Sequence, residues 1–263
     1  MVKLIVSDLD GTLVPLGNGA MDPEVFPTIA ALREKGVQFC VATGRQYPGT
    51  YNLFGEQAKE LYYVTNNGAD VHFRGETLMV TPIPETPLID ELIDEVQADP
   101  ELDMDATCPS KGYMSTEHEE LFLFMRDNVG YIEDNVPDLH NPPEPYIKLA
   151  VHQMGRPANA DEALVEKFRE KYGELFQVTG SGNGWIDFMP YGVNKGRGIR
   201  FIREKLGLSP SEVVIFGDNE NDVSMFTEGV SYVMDTAMDS VKEKADFVTD
   251  DVVREMKKIL SEV

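Results

Sequence analysis

The chain has 263 residues, 42% of them hydrophobic and 26% charged, with a formal net charge of −23; this is a globular composition, with enough length for one large domain or two ordinary ones. So acidic a balance argues against nucleic acid or anionic membrane surfaces as partners, because both are bound by clustered Lys and Arg that displace counterions. No apolar run is long enough to cross a bilayer, and Cys40 and Cys108 lack metal-ligand spacing, so a cytoplasmic protein with buried or idle thiols is expected.

Residues 2–6 read as a buried strand. Residues 23–35 read as a helix with Asp22 at its N-cap and Gly36 beyond its end, and 37–42 as a second strand. A weaker helix at 46–60 leads to a third strand at 61–65 that ends in NNGA, and VHFRGETLMV (71–80) reads as a hairpin around Arg74-Gly75-Glu76. The Pro-rich TPIPETP (81–87) then interrupts the alternation. Helices are expected at 88–98, 117–128 and 160–172, a strand at 146–152, and a pair of strands around GSGNG (180–184). MPYGVNKG (189–196) forms the exit. Beyond it come a helix at 195–206 capped by Gly207, a strand at 213–216 running into GDNEND (217–222), and strand-helix pairs at 230–234 and 247–258.

Strands alternating with helices on both sides of the interruption predict an α/β fold, a doubly wound parallel sheet of Rossmann-like type. Residues 1–83 and 189–263 form this core, and 84–188 an inserted α+β domain. The insert carries 23 Asp and Glu against 7 Lys and Arg, most of the chain's negative charge. Ligands of such sheets bind at the carboxyl ends of the strands, where the strand order switches.

The first strand runs into VSDLDGTLV (6–14), an apolar run ending in two carboxylates two residues apart. On a strand, Asp8 and Asp10 point to one face and share a small space, so their repulsion raises one pKa unless a proton or cation relieves it. A bound cation is the simplest relief. Gly11 and Thr12 let the chain turn sharply out of the strand. Three further stretches stand at strand ends or helix starts: TGR (43–45), NKG (194–196) and GDNEND (217–222). Alone, each has a bland reading as a solvated loop, a turn, a first-turn lysine or an N-cap cluster; their occurrence together, in this order, favours catalysis.

With DLDGT (8–12), these motifs resemble the haloacid dehalogenase (HAD) superfamily of phosphohydrolases, in particular its Cof-type branch, in which a large α/β cap is inserted after the third core strand. The resemblance covers nearly the whole chain. It implies that Asp8 is the nucleophile and Asp10 the general acid/base. Thr43, Gly44 and Lys195 would hold the phosphoryl group, with Arg45 and Asn221 as additional phosphate contacts. The side chains of Asp8 and Asp218 and the backbone carbonyl of Asp10 would hold Mg2+, with Asp222 supporting the metal set. One departure is Asp235-Thr236-Ala237 within MDTAMD (234–239), where the branch usually has Gly-Asn-Ala; it places another acid near the site.

The chemistry suits these residue types. A dianionic phosphate monoester admits an anionic attacker only where charge is neutralised and the reactants are positioned, and magnesium prefers hard oxygen ligands. The expected activity is Mg2+-dependent hydrolysis of small phosphorylated metabolites, such as sugar phosphates, through an aspartyl-phosphate, with the insert as the specificity element. The expected oligomeric state is a monomer or weak homo-oligomer. A phosphohexomutase of the same superfamily is the alternative, though its second motif usually differs from TGR. A non-catalytic phosphometabolite-binding protein is another, against which the second acid, Asp10, counts. His72, His118, His140, His152 and Trp185 show no mutual spacing and read as structural.

Overall fold

A computed structural model describes residues 1–15, 20–155, 160–182 and 184–263; residue 183 of the GSGNG turn lies outside them. The elements in chain order are β1 (Leu4–Ser7), α1 (Val25–Glu34), β2 (Gln38–Ala42), α2 (Tyr47–Leu53), β3 (Tyr62–Thr65), β4 (Asp70–Phe73), β5 (Glu76–Val80), α3 (Pro87–Gln97), β6 (Leu102–Thr107), β7 (Gly112–Ser115), α4 (Glu119–Phe124), β8 (Glu133–Asn135), β9 (Lys148–Gln153), α5 (Glu162–Tyr172), β10 (Phe176–Gly182), β11 (Trp185–Pro190), α6 (Lys195–Lys205), β12 (Val213–Gly217), α7 (Val223–Phe226), β13 (Val230–Met234), α8 (Asp239–Lys242), β14 (Phe247–Thr249) and α9 (Val252–Glu262). They divide into two compact units. The first comprises Met1–Gly44, Leu53–Leu78 and Asn194–Val263; the second comprises Arg45–Asn52 and Met79–Val193.

The first unit is built on an eight-stranded sheet in the order β14-β13-β12-β1-β2-β3-β4-β5. The six strands from β14 to β3 pair in parallel, and β4 turns back antiparallel to β3. From β1 the chain proceeds outward to β2 and β3 on one side, then returns to β12, β13 and β14 on the other. The strand order therefore switches between β1 and β12. Every residue of β1 and of β12 is buried, as their nearly continuous β-branched and aromatic sequences require of strands covered on both faces. The hairpin β4–β5 turns through Arg74 (φ 55°) and Gly75 (φ 80°), two consecutive left-handed residues whose twist matches that of the paired strands.

The second unit contains a six-stranded sheet in the order β10-β11-β9-β6-β7-β8, antiparallel except where β8 joins β7 in parallel. One face packs an apolar core with α3 and α5 that includes Leu92, Met104, Leu149, Phe168, Ile186 and Phe188. Pro87 opens α3 behind the capping hydroxyl of Thr86, and Asp161 caps α5. The expected insert, 84–188, falls within this unit, which also takes in 45–52, 79–83 and 189–193.

Local differences from the sequence expectations have physical causes. The helix expected over 46–60 is α2 followed by a separate 3-10 turn, Gly55–Glu60, because Gly55 sits at φ 51° between them. The helix expected over 117–128 becomes a π turn from Met125 and stops at Gly130, φ 83°. Strands β6, β7 and β8 lie outside the sequence expectations: LDMDAT does alternate apolar with polar residues, but its polar positions are taken by Asp, which is depleted in strands, and EDN has no apolar residue at all.

Candidate active site

Three of the four motifs follow adjacent parallel strands. Asp8 follows β1, Thr43 follows β2 and Asp218 follows β12, so all three stand at the carboxyl ends on either side of the switch point. Asp8 is buried, and its N–H continues the ladder by donating to the Phe216 carbonyl at 2.9 Å. The strand itself ends at Ser7. A tight turn follows, in which Gly11 N–H donates to the Val14 carbonyl and Val14 N–H to the Leu9 carbonyl, both at 2.7 Å. Asp10 lies on this turn and is exposed. The strand alternation that puts two acids on one face thus ends before Asp10, although the Asp10 charge still acts on Asp8 and adds to the rise of its pKa. Among the charges acting on Asp8, Asp10 is the weakest and Asp222 the strongest.

Gly11 makes this turn possible. Its φ is +95°, and a Cβ added there would lie 2.2 Å from Asp218 Oδ2, so a side chain is excluded both by backbone conformation and by the acid beside it. Thr12 holds that acid from the other side, its hydroxyl donating to Asp218 Oδ1 at 2.8 Å.

The third motif begins α6. The Asn194 side chain caps the helix by accepting from Arg197 N–H at 2.9 Å, and Lys195 enters as its first residue. The Lys195 ammonium donates to Asp8 Oδ1 and to Asp222 Oδ1, each at 2.6 Å. Asp222 Oδ2 in turn accepts from the backbone N–H groups of Asp218 (2.9 Å) and Asn219 (3.1 Å). Both oxygens of Asp222 are thus engaged, and the GDNEND loop is wound around one fully buried carboxylate.

The electrostatics follow from three acids sharing one ammonium. Burial, then repulsion from Asp222, raises Asp8 well above the usual carboxylate range despite the opposing pull of Lys195. Burial and Asp222 push Asp218 up to about 6. Burial works to lower Lys195, but the carboxylates of Asp222 and Asp8 override it and hold the ammonium above its ordinary value. Asp8, Asp218 and Asp222 each offer one oxygen, all within 4.8 Å of one another. A hard, oxygen-only donor set with excess buried negative charge fits a divalent cation such as Mg2+.

Asn67 is a neighbour that motif reading did not single out. It is buried, left-handed at φ 52°, and its N–H donates to the Thr43 carbonyl at 3.0 Å. Its side-chain oxygen accepts from Asn221 Nδ2 at 3.3 Å and would stand 3.2 Å from a Cβ on Gly44. Residue 67 therefore ties three of the sequence candidates, Thr43, Gly44 and Asn221, into one neighbourhood. Asp70 fixes the preceding turn, accepting from Thr65 Oγ1 (2.6 Å), Asn66 Nδ2 (3.1 Å) and His72 Nε2 (2.8 Å). The available signal was NNGA itself, since consecutive Asn-Asn-Gly at a strand end favours left-handed backbone.

Arg45 begins the second unit, where its guanidinium donates to the Val129 carbonyl at 3.5 Å. Asp235 and Thr236, the departure from the branch's pattern, are exposed. Both cysteines are buried and free. No helix among the described residues is long and apolar enough to cross a membrane.

A profile described as haloacid dehalogenase-like hydrolase matches residues 5–254. The chain belongs to this family. Among its relatives, the Escherichia coli K12 5-amino-6-(5-phospho-D-ribitylamino)uracil phosphatase is 25% identical over 250 residues, covering 94% of this chain and 90% of the relative. A phosphoglycolate phosphatase of Halorubrum lacusprofundi is 27% identical over 252 residues, covering 95% and 92%. A solved sugar phosphatase of HAD subclass IIB shares the fold, with a TM-score of 0.82 at 21% identity over 98% of this chain and 99% of its own. The protein is thus a HAD-type hydrolase of Cof-type organisation, and its doubly wound core is that of the family.

Proposed function

We propose that this HAD hydrolase is a Mg2+-dependent phosphomonoesterase that cleaves small phosphorylated metabolites through an aspartyl-phosphate on Asp8. The observation that carries the reading is the buried Asp8 carboxylate at the strand-order switch, held by the Lys195 ammonium at 2.6 Å beside Asp218 and Asp222. Asp8 and Asp218, with the Asp10 carbonyl, would hold the cation. Asp222, whose oxygens already accept from Lys195 and two backbone N–H groups, supports that set. Bound there, Mg2+ supplies positive charge against a dianionic phosphoryl group.

The chain's own residues perform the rest. One oxygen of Asp8 attacks phosphorus as the bond to the leaving oxygen breaks, and Asp10 delivers a proton to that oxygen. Water then attacks the acyl phosphate, giving its proton to Asp10 and releasing inorganic phosphate and free Asp8. The exposed turn position of Asp10 suits exchange of protons with leaving group and water, whereas buried Asp8 suits a nucleophile stripped of solvent. Lys195, Thr43, Gly44 and Asn221 position the phosphoryl oxygens, with Arg45 contributing a further cationic contact. The second unit acts as the cap that selects the leaving group. The names of the two curated relatives above, phosphatases of 5-amino-6-(5-phospho-D-ribitylamino)uracil and of phosphoglycolate, support that substrate class.

The test is phosphate release from p-nitrophenyl phosphate by purified protein. Turnover should require Mg2+, stop in excess chelator and return on re-addition of the metal. Undiminished turnover in chelator would remove the cation from the reaction, and no release under any condition would remove the phosphatase reading.

A further inference from the structure

The loop between β3 and β4 carries more backbone strain than closing a hairpin requires. The antiparallel register pairs Thr65 with Asp70, and between them Asn66 (φ 48°), Asn67 (φ 52°) and Gly68 (φ 96°) are left-handed in succession. A two-residue hairpin turn uses at most two such residues, and only glycine adopts them without cost. Two asparagines therefore stand where glycine would fold more easily. Backbone strain of this kind persists where the side chains that bear it are put to use.

For Asn66 the use is local. Its amide nitrogen donates to Asp70 Oδ1 at 3.1 Å, and Asp70, itself buried, also accepts from Thr65 Oγ1 and His72 Nε2, so the base of the loop is anchored on one carboxylate. For Asn67 the use lies outside the hairpin. Its backbone N–H donates to the Thr43 carbonyl, and its Oδ1 accepts from Asn221 Nδ2 at 3.3 Å. Gly68 then passes so close to the start of α6 that a Cβ there would lie 2.1 Å from the Asn194 carbonyl oxygen and 3.1 Å from the Lys195 backbone nitrogen. One loop thus meets TGR, NKG and GDNEND. Every residue in this set belongs to the first unit.

The contact with Asn221 has a chemical consequence. An amide nitrogen carries two N–H groups, and the torsion that aims them is broad rather than confined to staggered wells. Asn221 is only half-buried, so packing alone does not settle where its donors point. Accepting one N–H at Asn67 Oδ1 fixes the rotation and leaves the second as the one offered to a phosphoryl oxygen. A donor aimed before the reaction needs no reorganisation as charge develops on that oxygen, so it stabilises the transition state more than the ground state.

We propose that Asn67 is a positioning residue of the phosphoryl site and acts through Asn221, an inference that rests on the phosphatase reading given above. Asn67 aims the donor and takes no part in making or breaking bonds. Its two contacts can be separated by one substitution. Glycine at position 67 keeps the left-handed backbone and the N–H to the Thr43 carbonyl, and removes only the amide that holds Asn221.

The experiment measures kcat and KM for p-nitrophenyl phosphate, inhibition by orthovanadate as a mimic of the five-coordinate transition state, and the urea midpoint, for the Mg2+-loaded wild type, Asn67→Gly, Asn221→Ala and the double variant. Asn67→Gly should keep its urea midpoint, since relief of left-handed strain offsets the greater freedom of the unfolded glycine. Its kcat should fall roughly tenfold to a hundredfold, the range for a misplaced reacting group, and orthovanadate should bind more weakly by a similar factor. KM should move by less than about threefold, because the lost interaction belongs to the transition state. Asn221→Ala should lose as much, and the double variant should be no slower than Asn221→Ala alone, as residues that act as a unit are not additive. Wild-type kcat in Asn67→Gly or in Asn221→Ala overturns the inference, as do losses that multiply in the double variant. A lower urea midpoint with kcat per folded molecule unchanged would make Asn67 structural only and overturns it too. Failure of the wild-type enzyme on p-nitrophenyl phosphate would instead remove the phosphatase reading on which it rests.

Discussion

Replacing Lys195 by Met removes one ammonium and keeps most of the side-chain volume. Its consequences can be worked from the geometry. Lys195 is 1% exposed and bridges Asp8, at 5%, and Asp222, at 0%, so solvent cannot screen the charges it leaves behind. Breaking a buried ion pair from one side costs on the order of 3–5 kcal/mol, chiefly because the partner charge is left uncompensated. Here there are two partners. With chelator present at pH 7, Lys195→Met should therefore lower stability by about that amount, a fall of roughly 1–2 M in the urea midpoint read by circular dichroism. Millimolar Mg2+ should restore part of the loss by supplying positive charge to the same acids. Adding Asp8→Asn should also recover part of it, since one of the stranded charges is gone and residues in contact are not additive. A single variant within 1 kcal/mol of wild type, or a double variant whose cost is the sum of the two singles, would refute this account of the lysine. The same substitution should lower kcat by several orders of magnitude, so Lys195 is expected to be both structural and catalytic.

Gly11→Ala should destabilise the first unit by about 1–3 kcal/mol, from left-handed strain and the collision of its Cβ with Asp218, and reduce phosphate release at least a hundredfold. Near-normal turnover would show that the turn gives way without disturbing Asp218. Glu133→Gln should show the pH signature of a buried carboxyl. Its folded pKa of about 9 lies above the ordinary 4.5, so the stability contributed by the protonated group is complete below about pH 4.5 and is lost as pH rises through 9. Gln does not titrate. The variant should therefore match wild type near pH 5 and exceed it at pH 9, by an amount on the order of a few kcal/mol; a gap that does not change with pH would contradict the shift.

The core was legible because its sequence signals are local and redundant. Val and Ile runs ending in Asp-x-Asp-Gly, Thr-Gly and Gly-Asp place strand and loop together, and short βα connections limit the order in which such strands pair. The relation between Asp8 and Asp10 was less legible. Two-residue spacing predicts a shared face only while the strand continues, and Gly11 allows a turn whose consequence for Asp10 depends on Asp218, more than two hundred residues away in sequence. Asn67 was hidden for a similar reason, since its contacts with Thr43 and Asn221 come from three separate loops. In the second unit, strands such as LDMDAT carry acids on one face and apolar groups on the other. The period-2 alternation was there, but Asp is depleted in strands and both faces are buried, so acids that end up inside the unit read as a solvated loop. His118 and His152, which have no spacing relation in the chain, approach opposite oxygens of Asp103 at 2.8 and 3.6 Å; the antiparallel register of β6 and β9 sets His152 opposite Asp103, and the turn between β7 and α4 brings in His118.

In the proposed reaction Asp8 carries the phosphoryl group and Asp10 handles protons. Rapid-quench analysis of two variants with p-nitrophenyl phosphate tests it most directly. The nitrophenolate leaves without help from an acid, so Asp10→Asn should still phosphorylate Asp8. It cannot accept the proton of the attacking water, so the second half-reaction should stall. Asp10→Asn should release a burst of p-nitrophenol approaching one equivalent per active site, with phosphate bound covalently to the protein, and Asp8→Asn should give no burst. A burst from Asp8→Asn, or covalent phosphate on a residue other than Asp8, would contradict this assignment.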